Sequence, residues 1–140
     1  MKDQILIIDD MEERHHLLKQ WLKFHKNFPP SQVISAYGCE EGIKTLDAIW
    51  VDCFHLFLDH DFDLIMHGEA DSGTGADVAK HMVIKGYTIP TTIISINPAG
   101  AENIYHILDD AGIWVAKRPI FNFTCDMEGI DGTDGISSRR

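Results

Sequence analysis

Leu58-Asp59-His60-Asp61-Phe62 closes an apolar run that begins at Phe54, and the reading of this stretch decides the fold. A nearly unbroken apolar run of this length suits a strand covered on both faces. Ile5-Leu6-Ile7-Ile8 is a second such run, and it ends in Asp9-Asp10. Parallel strands of this kind bring their terminal acids to one edge of the sheet, and ligands bind at the carboxyl ends of such strands. Three or four carboxylates meeting there repel one another unless a divalent cation with oxygen ligands neutralises them. The sequence therefore predicts an acidic metal pocket.

Outward from these two runs, strand-like and helix-like blocks alternate, which is the pattern of an α/β fold. Leu17, Leu18, Trp21, Leu22 and His25 keep helical spacing and predict a helix over 12–26, stopped by Asn27-Phe28-Pro29-Pro30. Val33 to Ala36 reads as a short strand and Gly38 to Trp50 as a second helix. The polar stretch from Asp61 to Gly75 has the length of a functional or mobile loop. Ala76, Ala79, Met82 and Val83 mark a third helix, stopped near Gly86. Thr91 to Ile96 reads as the fourth strand, Gly100 to Gly112 as the fourth helix and Ile113 to Ala116 as the fifth strand, followed by Lys117-Arg118-Pro119. A closing helix after that strand is missing or degenerate. The expected organisation is one domain over 1–123 and a disordered Gly-, Asp- and Ser-rich tail over 124–140.

At 140 residues the chain can bury a core without disulfides. Cys39, Cys53 and Cys125 form no Cys-x-x-Cys pair and leave an odd count, which favours a reducing compartment and argues against a zinc ribbon. The N-terminal apolar run is too short for a signal peptide or a membrane span, so a cytoplasmic protein without membrane association is expected. A formal net charge of −10 argues against duplex DNA as a partner, because such binding depends on Lys and Arg displacing counterions. A small anionic ligand fits better, provided that a metal reverses the local field.

Acids after strand one, Asp59 after strand three, Ser95 after strand four and Lys117-Arg118 after strand five together resemble the receiver domain of two-component response regulators, over about residues 3–121. That resemblance implies a flavodoxin-like five-stranded parallel sheet of order 2-1-3-4-5. It also implies Mg2+ (or Mn2+) on Asp9, Asp10 and Asp59, phosphoryl transfer to Asp59, and phosphate contacts from Ser95 and from Lys117 or Arg118. Leu58-Asp59-His60-Asp61, Gly75-x-Asp77-Val78 and Ser95-x-Asn97-Pro98-x-Gly100 are similar to the divergent family of cyclic-phosphate processing receiver-like domains. That likeness implies metal-dependent binding and hydrolysis of a cyclic phosphodiester in a small cyclic nucleotide or an RNA terminus. Ile94 stands where that family is expected to carry a histidine before the serine.

Each candidate has a plainer reading beside it. Asp9 or Asp10 could cap the first helix, although two acids beside a third exceed what a cap needs. Asp59 is a candidate metal ligand and phosphoacceptor. His60, flanked by acids, is suited to protonate a leaving alkoxide, yet a lone histidine at a strand edge is usually a surface residue. Asp61 is placed to orient it. Ser95 and Asn97 could merely shape the turn before Pro98, whereas free N–H groups from Asn97 to Gly100 would suit a phosphate, and Gly73-Thr74-Gly75 offers a second such nest. Lys117, three residues after Trp114, and Arg118, directly before Pro119, compete for the phosphate contact. A stand-alone phosphorelay receiver phosphorylated on Asp59, and a protein that sequesters a cyclic nucleotide without cleaving it, are the alternatives.

Overall fold

The computed structural model describes residues 2–62, 65–66, 69–70 and 73–123. The expected tail over 124–140, Cys125 included, and much of the polar stretch before Gly73 lie outside them. Five strands form one parallel sheet: β1 (Gln4–Ile8), β2 (Val33–Ala36), β3 (Cys53–Leu58), β4 (Thr91–Ile93) and β5 (Val115–Lys117). Their spatial order is β2-β1-β3-β4-β5, the receiver-like order that the sequence predicts. A separate antiparallel pair, Ile65–Met66 with Glu69–Ala70, stands apart from this sheet.

Four helices connect the strands: α1 (Glu12–Lys26), α2 (Cys39–Ile49), α3 (Gly75–Lys85) and α4 (Pro98–Asp110). None among the described residues is long and apolar enough to cross a membrane. Strand alternation sorts the core. Ile5, Ile7 and Phe57 face Leu18, Trp21 and Leu22 of α1, whereas Leu6, Ile8, Leu56 and Leu58 face Leu46, Val78, Met82, Ile104 and Leu108 from α2, α3 and α4. After β5 a short 3₁₀ turn, Ile120–Asn122, leads Ile120 and Phe123 into the core on the α1 side.

Several boundaries differ from the expected ones, and the start of β5 does so for a local reason. Gly112, at φ 77°, ends the turn after α4, and the Ile113 N–H donates back to the Leu108 carbonyl at 3.0 Å. Ile113 therefore belongs to the helix exit. Strand β5 starts two residues later than expected, and β4 stops at Ile93.

Strand register brings the functional strand ends level. Ile8 pairs with both Ala36 and Leu58, Leu58 pairs with Ile93, and Ile93 pairs with Lys117. The ladder then continues one step: Asp59 N–H donates to the Ile8 carbonyl, Ile94 N–H to Leu58 and Arg118 N–H to Ile93, at 3.0, 3.0 and 2.8 Å. Asp9, Asp59 and Ser95 thus leave the sheet at one edge.

Candidate metal and phosphate site

The carboxylates of Asp9, Asp10 and Asp59 are buried, and one oxygen of each lies within 4.8 Å of the others. Asp9 uses its two carboxylate oxygens differently. Its Oδ1 accepts the Met11 N–H at 2.8 Å, which opens α1, and its Oδ2 remains toward Asp59 and Arg14. His15, buried beneath it, holds the Asp9 carbonyl through Nε2 at 2.7 Å, and burial lowers its pKa so that it stays neutral. From sequence His15 reads as structural or solvent-facing, and its role is structural.

Burial and the neighbouring Asp59 raise the Asp9 pKa to about 7, against the Met11 N–H and Arg14. Asp59 rises to about 6, chiefly through burial and then through Asp10 and Asp61. A site that makes its own acids reluctant to ionise is short of positive charge. Three buried carboxylate oxygens clustered in this way fit a hard divalent cation, Mg2+ or Mn2+.

The described residues enclose a cavity of about 220 Å³ beside these acids, lined by Asp10, Met11, Arg14, Asp59, Asp61, Ser95 and Ile96. Arg14 has no place among the candidates that strand ends suggest. It lies one helical turn beyond Asp10, and its Nη1 stands 3.4 Å from Asp9 Oδ2 and 3.5 Å from Asp59 Oδ2. Spacing i, i+4 from an acid at the helix entrance is the available signal.

On the opposite rim a hydrogen-bonded chain runs through His60, Asp61, Asn97 and Ser95. His60 Nδ1 meets Asp61 Oδ1 at 2.7 Å, and Asn97 Nδ2 donates to Asp61 Oδ2 at 3.1 Å. Burial would raise the Asp61 pKa, but these two bonds outweigh it and lower the pKa, so Asp61 is an anion at neutral pH. The Asn97 N–H donates to Ser95 Oγ at 3.0 Å, and Asn97 Oδ1 caps α4 by accepting the Gly100 N–H at 3.1 Å. A Cβ at Gly100 would lie 2.4 Å from the His60 ring, so this glycine makes room for the imidazole and its N–H belongs to the cap. Asp61 and Ser95 line the cavity, whereas His60 stands behind Asp61.

Thr74 is engaged elsewhere. Its hydroxyl and N–H form a capping box with Ala76 and Asp77 at the start of α3. That helix docks on the site through Gly75, whose N–H donates to the His60 carbonyl at 2.8 Å. A Cβ at Gly75 would stand 2.0 Å from the Asp59 carbonyl oxygen. Neither basic candidate after β5 lines the cavity. Lys117 pairs with Glu102 and lies over the Tyr105 ring, and the buried Arg118 guanidinium stacks on Phe123 and Trp21 and donates to the Asn122 carbonyl. An acid on α4 holds one, and the aromatic rings of Trp21 and Phe123 hold the other.

A family described as the cyclic-phosphate processing Receiver domain matches residues 4–110. The chain belongs to this family. No curated protein matches it. Among solved structures, the N-terminal domain of an uncharacterised protein from Wolinella succinogenes aligns at TM-score 0.59 and 17% identity, covering 85% of this chain and 81% of that one. A LuxR-family DNA-binding response regulator from Staphylococcus aureus aligns at 0.54 and 19%, covering 84% and 89%. The receiver domain of the histidine kinase CKI1 from Arabidopsis thaliana, a point mutant, aligns at 0.51 and 15%, covering 82% and 80%. At these identities the likeness concerns the fold. This cyclic-phosphate processing receiver domain has the flavodoxin-like sheet, with its acids at the edge where such sheets bind ligands.

Proposed function

We propose that the pocket binds a cyclic phosphodiester, in a small nucleotide or at an RNA end, and hydrolyses it to a phosphomonoester. The observation that carries this reading is the junction, in one cavity, of the buried carboxylate cluster with the Ser95 hydroxyl and the Asp61 carboxylate backed by His60. Family membership points the same way. A cavity of about 220 Å³ is small beside the roughly 300–1,000 Å³ that encloses drug-sized ligands, which suits recognition of the phosphate end.

Asp9, Asp10 and Asp59 would hold a Mg2+-type ion, which when bound polarises a phosphoryl oxygen and makes water a stronger nucleophile near neutral pH. Ser95 Oγ already accepts the Asn97 N–H, so its own proton is available to a non-bridging phosphate oxygen. Water adds to phosphorus, the ring P–O bond breaks, and the departing alkoxide takes a proton from the His60–Asp61 pair, passed through the carboxyl that faces the cavity. The proton released by water restores the pair.

The test is incubation with a panel of cyclic mono-, di- and oligonucleotides and RNA 2′,3′-cyclic phosphate ends, with Mg2+, Mn2+ or EDTA, followed by chromatography. Metal-dependent appearance of a monoester is expected. Ligand returned intact after a melting-temperature shift would mean sequestration, and stable label on Asp59 from acetyl phosphate without turnover would mean phosphorelay. Either result overturns the hydrolase reading.

A further inference from the structure

We infer that Arg14 is an exchangeable cation: it neutralises Asp9 and Asp59 while the metal is away and turns to the phosphate when metal and ligand occupy the pocket together. This rests on the metal site proposed above. Three observations carry it. Nη1 lies between two buried carboxylate oxygens at 3.4 and 3.5 Å, longer than the roughly 2.7–2.9 Å of a committed charge-assisted bond. The same side chain lines the cavity with Ser95 and Asp61, and its exposure of 18% leaves it room to move. Among the described residues lining that cavity it is the only cation, because Lys117 and Arg118 are engaged with Glu102 and with Trp21 and Phe123.

A divalent ion seated on the same carboxylates repels a guanidinium at this distance, and the guanidinium's planar fork matches two oxygens of a phosphate. Metal and phosphate then help each other. Metal binding frees Arg14 for the phosphate, and a phosphate that holds Arg14 removes the competitor for the metal site. Linkage requires the two enhancements to be equal. Arg14 is thereby a specificity-determining residue, one that rewards a phosphorylated ligand only when the metal is present.

The experiment is Mn2+ titration of the intact chain by water-proton relaxation, with and without inorganic phosphate, for wild type and Arg14→Gln. In wild type, phosphate should tighten Mn2+ on the order of tenfold, within the usual range of coupling between sites. Arg14→Gln should bind Mn2+ alone more tightly than wild type, and phosphate should change that affinity by less than about twofold because the coupling residue is gone. A supporting structural residue would do the opposite, since its loss weakens the site. Mn2+ binding to Arg14→Gln that is no tighter than to wild type, or coupling to phosphate that survives the substitution, overturns the role of Arg14 while leaving the metal site standing. Absence of Mn2+ binding by wild type would instead overturn the metal site and this inference with it.

Discussion

Asp9 and Asp59 hold their protons to about pH 7 and pH 6 because burial, and then repulsion from neighbouring carboxylates, penalise the charged forms. In the unfolded chain both ionise near the ordinary carboxylate value of 3.8, so between that value and about 7 the folded state binds more protons. Stability without metal therefore falls as pH rises through this window and is fully retained only below it. Melting temperature in EDTA should be higher at about pH 5 than at about pH 7.5, and saturating Mg2+ should flatten or reverse that slope, because the ion replaces the protons. Asp59→Asn should melt higher than wild type at neutral pH in EDTA and lose the response to Mg2+. A slope of the opposite sign in EDTA would contradict the charge deficit. His60 makes a second prediction at this scale: His60→Ala should slow turnover of a cyclic substrate by roughly 10²–10⁴-fold while Mn2+ affinity holds, since a proton donor is lost and the carboxylates are not. Unchanged turnover would remove His60 from the chemistry.

Elements place these residues, and the last described ones pack against α1 and the sheet. Among the described residues, Phe123 after the 3₁₀ turn is fully buried, with its ring edge-on to both Trp21 and Phe57. Phe123→Ala should cost about 3–5 kcal/mol in chemical denaturation, the range for a large ring removed from a packed core. Removal of residues 125–140, which offer little apolar surface, should shift the melting temperature by less than about 3 °C. A larger loss would mean that the tail packs on the domain. Most elements were legible in the sequence, because apolar runs and helical spacing report burial directly, and α1 and β2 lie where those patterns put them. The exit from α4 was not, because Ile113 is apolar in either a strand or a helix-ending turn and only its bond to Leu108 separates the two. The packing of Ile120 and Phe123 against α1 was not legible either, since these two are recognisable as core only once α1 and the sheet stand around them.

For the molecule as a whole, five strand ends in register gather residues from positions 9 to 118 of the chain at one edge, and the acidic cluster there was predictable from strand termini alone. The cations were harder to place. Lys117 ends β5 as the receiver pattern asks, yet Glu102 on the neighbouring helix holds it, and Arg14 enters the pocket from α1. Which basic side chain reaches an acidic pocket depends on competing acids elsewhere in the fold, and strand-end position carries no record of them. The net charge of −10 is consistent with this arrangement, in which bound metal, and not a basic surface, would attract the phosphate. In the proposed function, the acids that follow β1 and β3 form a metal-dependent site at which a cyclic phosphodiester is opened. Phosphorus NMR of a cyclic substrate with wild type, Asp10→Asn and Asp59→Asn, each in Mg2+ and in EDTA, tests it most directly. The cyclic resonance should give way to a monoester resonance only for wild type in Mg2+; conversion at the wild-type rate in EDTA, or by both variants, would rule out metal-dependent opening at these acids.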